Sequence, residues 1–281
     1  MREVSYFAPT EVGEAVKVLA EHGKEAAILA GGTDLVAALN YYEIKPGTLV
    51  YIGELGLDYI KEEDGKLVIG AGTTGAQLIA SDLIAEKFPV LVDAAKTHGS
   101  PAVRSAATIG GNLGTGSPAG DLIPPLMVMD ADVLLVSAEG ERVVAVKDFF
   151  TGPQETVCKP GELIVEIRIP LKAGKAVFKK LGHRKAQTCA LASATARLEM
   201  DGKVCKDARI VLGSMAPTPL RCTEAEEMIT GKELDEGLIA KCAAKAIDES
   251  SPIDDQRATA WYRKKAGKAL VASAVALAAG I

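Results

Sequence analysis

The chain has 281 residues, 48% of them hydrophobic and 25% charged, enough apolar material for a folded core and length enough for two domains. A formal charge of -5 with no Lys/Arg stripe, and a single Trp, argue against a nucleic-acid grip, and no window reaches the ~18 consecutive apolar residues of a membrane span. The N-terminal MREVSYFAPTEVGEAV lacks the apolar stretch of a signal peptide, so a cytoplasmic protein is expected, and Cys158, Cys189, Cys205, Cys222 and Cys242 form no C-x-x-C pair for zinc or an iron-sulfur cluster and read as reduced thiols.

Apolar residues at Val12, Ala15, Val16, Leu19 and Ala20 predict a helix over 10–22, with Thr10 as N-cap and Gly23 as its end. Ala26 to Ala30 reads as a strand running into Gly31-Gly32-Thr33-Asp34, and Leu35 to Asn40 as the helix that follows. Leu49 to Ile52 and Leu67 to Gly70 read as buried strands, and 76–88 and 89–98 as helices. The segment Ser100 to Asp121, rich in Gly, Ser and Thr but poor in charge, predicts a long uncharged turn facing a ligand or another backbone. Helix 122–129, strand 133–137, a hairpin at Glu139-Gly140 and strand 163–169 precede a linker at 171–175. Beyond it, strands 190–200 and 207–215 joined at Asp201-Gly202, helices 224–229 and 238–248, and an Ala-rich helical stretch 254–279 complete the chain.

Three glycine loops compete as a binding site. Gly70-Ala71-Gly72-Thr73-Thr74-Gly75 fits G-x-G-x-x-G after a strand and before a helix, with Asp93 some twenty residues on, the fingerprint of a dinucleotide site; without flanking strand-helix repeats the pattern is a weak signal. Ala30-Gly31-Gly32-Thr33-Asp34 offers backbone N–H groups to a pyrophosphate, although a carboxylate beside phosphate is repulsive, so Asp34 is expected to cap the helix or accept from a ribose or amide. Thr108-Ile109-Gly110-Gly111-Asn112, with Thr115, Ser117 and Asp121, is a ligand-shaped inventory; the plainer alternative makes Ser117 and Asp121 an N-cap pair for helix 122.

The stretches LAGGTDL at 29–35 and RSAATIGGNLGTGSPAGDLIPPL at 104–126 closely resemble the paired FAD-binding motifs of the molybdenum hydroxylase flavoprotein family, which includes subunits of carbon monoxide, nicotinate and xanthine dehydrogenases. The resemblance runs on through Glu162 to Pro170, Phe178 to Arg184, LGSMAPTPLR and Asp254 to Arg263, and so covers essentially the whole chain. It implies an α+β fold: a two-subdomain FAD-binding domain of the vanillyl-alcohol-oxidase (PCMH) type over 1–172, divided near residue 55, and a smaller C-terminal α+β domain with an antiparallel sheet over 173–281. Carried onto matching positions, it implies cofactor contacts from Leu29, Ala30, Gly31, Gly32, Thr33, Asp34 and Leu35, and from Thr108, Ile109, Gly110, Gly111, Asn112, Thr115 and Ser117. Asp121 falls on the adenosine side, and Ile164 and Lys179 lie along the cofactor. Two positions depart: Gly120 stands where relatives often carry a cofactor-contacting Ser, and His98 where some carry an aromatic residue.

The resemblance also implies partners. Iron-sulfur and molybdopterin subunits of the same complex hold the two-iron two-sulfur clusters and the molybdopterin, while this chain carries FAD and passes electrons to an acceptor, NAD being favoured. Hydride transfer from flavin needs no protein acid or base, so no catalytic residue is expected. Lys179, His183 and Arg184 are a basic turn suited to an anionic reduced flavin or an acidic partner, or merely solvated, and the Arg257 to Lys265 cluster reads as a charged helix face. Two other readings stay open: an NAD-dependent dehydrogenase using Gly70 to Gly75 and Asp93, and an assembly subunit without flavin.

Overall fold

The computed structural model describes residues 4–184 and 187–281. The chain starts with a small parallel sheet. Strand β1 (Ser5–Phe7) leads to helix α1 (Val12–His22), strand β2 (Ala26–Leu29), helix α2 (Leu35–Asn40) and strand β3 (Thr48–Tyr51), which lies between β1 and β2 and runs parallel to both. Thr10 does not cap α1: Glu11 occupies the N-cap, and the Thr10 N–H instead donates to Glu14. Ala15, Val16 and Leu19 recur at helical spacing and form the buried face of α1.

The next sheet is antiparallel. Strands β4 (Ile60–Glu63) and β5 (Lys66–Gly70) form a hairpin, and a helical layer follows: α3 (Gly75–Ala80), α4 (Asp82–Lys87), α5 (Pro89–Thr97), α6 (Pro101–Ala106), α7 (Ile109–Thr115) and α8 (Ile123–Val128). The single helix expected over 76–88 is two, because Ser81 leaves the helical conformation and its hydroxyl accepts from Ile84 N–H to start α4. The expected long turn over 100–121 is also largely helical: Ser100 and Thr108 cap α6 and α7, and the small residues between pack rather than loop. Ser117 and Asp121 do not cap α8, whose N-cap is Leu122 without a side-chain bond. Strands β6 (Asp132–Ser137), β7 (Gly140–Ala145), β8 (Phe150–Gly152), β9 (Glu155–Thr156) and β10 (Leu163–Pro170) complete this part, with β10 central in the order β4-β5-β10-β6-β7.

Both faces of that sheet are buried. Val133, Leu135, Ile164, Ile167 and Ile169 pack on the helical layer, while Leu134, Leu163 and Val165 pack against Ala15, Val16 and Leu19 of α1. This explains why Leu163–Pro170 reads as a nearly continuous apolar run. A bulge at Val165 shifts the register of β10 against β6.

Strand β11 (Lys175–Leu181) opens the C-terminal sheet and, with β12 (Ala192–Asp201), β13 (Val204–Gly213) and β14 (Leu220–Arg221), forms an antiparallel meander. Helices α9 (Thr223–Ile229), α10 (Glu236–Asp248) and α11 (Ala260–Ala279) cover one face. The expected linker at 171–175 falls between β10 and β11. The terminal helix starts six residues later than expected, because Asp255 accepts from Arg257 N–H and Ala258 N–H in a turn and Thr259 is the N-cap. Sequence reading missed β1, β4, β8, β9, β11 and β14, which are short or carry charged residues among the apolar ones. Among the described residues no helix is long and apolar enough to cross a membrane.

The uncovered face of the C-terminal sheet docks on the helical layer through fixed polar contacts. Arg197, 2% exposed, donates to Val128 O (3.0 Å), Ala173 O (2.7 Å) and Asp207 (2.5 Å). Asp130, in the left-handed region at φ 52°, accepts from Lys172 at 2.7 Å and faces Arg209 and Arg221, each at 3.7 Å. Burial alone would raise the Asp130 carboxyl, but Lys172 and the two guanidiniums outweigh it and hold it below the usual carboxylate range. Asp130→Asn, which keeps the side-chain shape and tolerates the left-handed backbone, should lower urea-measured stability by about 1–2 kcal/mol at pH 7 after allowance for solvent screening. Because the folded pKa is depressed, this stabilisation is complete above the unfolded value near 3.9 and disappears as pH falls through the folded value, so the two proteins should converge in acid.

Candidate functional site

A cleft of about 680 Å³ opens between the parallel sheet and the helical layer, a volume in the range of small-molecule and cofactor sites. The first and third glycine loops meet there. After β2 the chain turns through Gly31 and Gly32, the latter at φ 70°, and the N–H groups of Gly31, Gly32, Thr33 and Asp34 find no acceptor among the described residues; Val36 is the first to bond, to Gly32 O. With Leu35, this makes five successive amides without an acceptor among the described residues, and such a row at a cleft wall suits an anionic ligand. Asp34 makes no cap bond; its carboxylate lies 3.3 Å from the Thr115 hydroxyl, whose single proton also has Gly111 O at 2.9 Å, and this contact brings the first loop to α7.

The third loop contributes differently from expectation. The Ile109 N–H donates to Thr73 O, Gly110 to Ala71 O, Gly111 to the Thr108 hydroxyl and Asn112 to Thr108 O, so these amides are taken. What α7 offers is a glycine-rich surface, with Gly110, Gly111 and Gly114 on the cleft beside Asn112 and Thr115. The two loops touch through backbone: a Cβ on Gly31 would lie 1.7 Å from Ala106 O, at the end of α6. Only glycine permits that approach.

The Gly70 to Gly75 fingerprint fails on the same test. Gly70 N–H donates to Tyr59 O, Ala71 to Val165 O, Gly72 to Leu57 O and Gly75 to Ala107 O, and a Cβ on Gly70 would meet Leu57 O at 2.2 Å. Its strand, β5, runs antiparallel to both neighbours, unlike the parallel βαβ unit in which the fingerprint works. Asp93 is an exposed residue of α5. These glycines pack chain against chain, which corrects the nicotinamide-site alternative.

Of the expected contacts, Ala30 through Leu35, Thr108, Gly110, Gly111, Asn112, Thr115 and Ile164 line the cleft. Five do not. Leu29 pairs with Tyr51 in the sheet, Ile109 is fully buried in the core, and the Ser117 hydroxyl accepts from Ala119 N–H. Asp121 is buried and salt-bridged to Lys180 at 2.6 Å, with His98 Nδ1 3.5 Å away. Lys179 sits on β11 beside Val177 and Lys180; since Val177 packs in the C-terminal core, strand alternation turns Lys179 to that face and Lys180 toward Asp121. Lys180, not Lys179, therefore reaches back to the first domain.

The cleft also holds residues outside the two FAD-like motifs. His98 lines one wall, Ile28, Ile44 and Ala71 supply apolar surface, and Gln154 and Thr156 come from the β8–β9 hairpin. Lys24 and Lys159 add positive charge, while the acidic Glu162 is neutralised by a bidentate Arg142 (2.6 and 2.7 Å) that holds its carboxyl below the ordinary range. Burial pushes the Cys158 thiol up, so this cleft cysteine is a protonated wall group at neutral pH. The run Lys159-Pro160-Gly161-Glu162, a turn entering an apolar strand, was the available sequence signal for this wall.

Comparison with known proteins agrees with this geometry. The family model described as FAD binding domain in molybdopterin dehydrogenase matches residues 2–172, and that of the CO dehydrogenase flavoprotein C-terminal domain matches residues 176–278. The glyceraldehyde dehydrogenase medium chain of Sulfolobus acidocaldarius is 33% identical over 97% of both chains, and the carbon monoxide dehydrogenase medium chain of Afipia carboxidovorans is 35% identical over 96% of this chain and 94% of that one. Among solved structures, Cu,Mo-CO dehydrogenase superposes with TM-score 0.95 at 34% identity, covering 99% of this chain and 98% of that one.

The loop contact predicts a contrast between two glycines. Gly31→Ala collides with backbone that cannot rotate away and should cost about 3 kcal/mol or more, with loss of the cleft. Gly111→Ala meets only the rotatable Thr108 hydroxyl, at 2.9 Å, and should cost about 1 kcal/mol, the worth of a disturbed N-cap. Thermal unfolding of the two variants beside the wild type measures the difference.

Proposed function

The chain belongs to the FAD-binding flavoprotein family of the molybdopterin dehydrogenases, and from that premise we propose that it is the flavin-carrying electron-transfer subunit of a heteromeric molybdenum hydroxylase. The observation that carries the reading is the row of amides at Gly31 to Asp34, without an acceptor among the described residues, facing the glycine-rich surface of α7 across one cleft. The residues fit the group. A dinucleotide needs donors for its two phosphates, close backbone approach, and apolar walls for its rings, and the first loop, Gly31 with Gly110 and Gly111, and Ile28, Ile44 and Ile164 supply them in turn.

Bound flavin supplies the ability to take electrons singly and release them as a pair. The chain's own part is position and polarity. Gly31 to Asp34 hold the phosphates, Ile164 at the β10 bulge and Gly114, whose Cβ position is 3.6 Å from the Ile164 side chain, close the floor, and Lys24 and Lys159 offset phosphate charge. The Lys180–Asp121 ion pair, both side chains about 5% exposed, fixes the second domain against the cleft wall at His98. For Leu29, Ile109, Ser117 and Asp121 we propose a supporting role beneath the ligand rather than contact with it.

Partner chains bearing iron-sulfur clusters and molybdopterin donate the electrons in this reading. The relatives named as a medium chain and as an FAD-subunit support a place for this chain in such an assembly. NAD is the acceptor we propose, from the family resemblance.

Purified chain should be yellow and release about one FAD on acid treatment, and anaerobic NADH should bleach the flavin band. A colourless chain that takes up no added FAD overturns the assignment. A yellow chain that NADH leaves oxidised, yet dithionite bleaches, removes only NAD as acceptor.

A further inference from the structure

The β8–β9 hairpin turns in two residues, Pro153 and Gln154, and the second of them carries a conformational anomaly. Proline sets φ near -65° at the first position, and the turn then requires a positive φ at the second, a place for Gly or Asn. Gln154 occupies it at φ 61°. The backbone there is fixed by the third glycine motif: Gln154 N–H donates to Gly116 O at 3.0 Å, and Gly116, itself left-handed at φ 61°, ends α7 so close that its Cβ position lies 3.2 Å from Gln154 C. The residue lines the cleft at its exposed rim, where its carboxamide faces the opening and makes no hydrogen bond within the chain among the described residues.

Six non-glycine residues adopt positive φ among the described ones, and of these only Gln154 lines the cleft. We propose that Gln154 is a cofactor-recognition residue, whose carboxamide binds an uncharged hydrogen-bonding part of the dinucleotide, a ring amide edge or a sugar hydroxyl. The chemistry selects that class. A carboxamide presents donor and acceptor together and matches groups that do the same, whereas the phosphates are provided for by the charged and backbone donors already on the cleft. The proposal rests on the flavin-dinucleotide reading above. It deepens it by naming a contact outside both glycine motifs, tethered to the end of the helix that the second motif builds.

The strain makes the test two-sided. Gln154→Gly relieves the backbone and removes the carboxamide, Gln154→Ala removes the carboxamide and keeps the strain, and Gln154→Asn keeps an amide in a residue that tolerates the conformation. Each full-length variant is stripped of flavin, its thermal midpoint recorded, and FAD titrated back by fluorescence, with ADP and FMN as separate probes. Gln154→Gly should melt about 2 °C higher than wild type yet bind FAD about tenfold more weakly. Gln154→Ala should bind as weakly without the gain in melting temperature, and Gln154→Asn should keep most of the affinity. A parallel loss for ADP or for FMN identifies the half of the cofactor contacted. Wild-type FAD affinity in both Gln154→Gly and Gln154→Ala overturns the assignment of Gln154 alone, whereas wild-type chain that takes up no FAD overturns the parent reading and this one with it.

Discussion

Everything about the cleft depends on one close approach, the backbone of Gly31 against the carbonyl of Ala106, where even a methyl group would sit 1.7 Å from oxygen. That contact joins two segments 75 positions apart and sets the first loop along the glycine-rich face of α7. The Thr115–Asp34 contact repeats the connection one helix length away. Since β2 belongs to one sheet and α7 packs on another, the contact also fixes the two sheets relative to each other. The apolar contact of α1 with Leu134, Leu163 and Val165 closes the remaining side.

The loops differ in who owns their amides. At Gly70 to Gly75 the N–H groups are spent on Tyr59, Leu57, Val165 and Ala107, and at Ile109 to Asn112 on Thr73, Ala71 and Thr108. Those of Gly31 to Asp34 have no acceptor among the described residues. Gly31 and Gly32 are half-buried and Thr33 and Asp34 exposed at the cleft, so their N–H groups are open to water or to a ligand, whereas those of the other two loops are not.

The second domain is held by charge set into backbone. Arg197 reaches the carbonyl that ends α8 and the carbonyl of Ala173 in the connection, Lys180 reaches Asp121 and Thr97 O, and Ser214 N–H donates to Pro118 O. With Asp130 surrounded by three cations, these bonds leave little freedom for the C-terminal sheet to rock against the helical layer.

The sequence by itself determined the strands with strong apolar runs, such as Leu163–Pro170, the helix Pro89–Thr97, the meander turn at Asp201-Gly202, and the two motifs that resemble a flavin site. These depend on local pattern, and local pattern is what a sequence displays. It misplaced Thr10, the break at Ser81 and the start of the last helix, each decided by a single side-chain bond. It took the 100–121 segment for a loop, because glycine and serine favour turns unless packing pays for the helix. Only the tertiary structure decided which glycine loop leaves its amides without an acceptor among the described residues, that Lys180 rather than Lys179 faces the first domain, and that Gln154 belongs to the cleft. The reason is physical: whether an N–H is available, or which way a strand residue points, is settled by partners far away in the chain, and those partners exist only once the chain has folded.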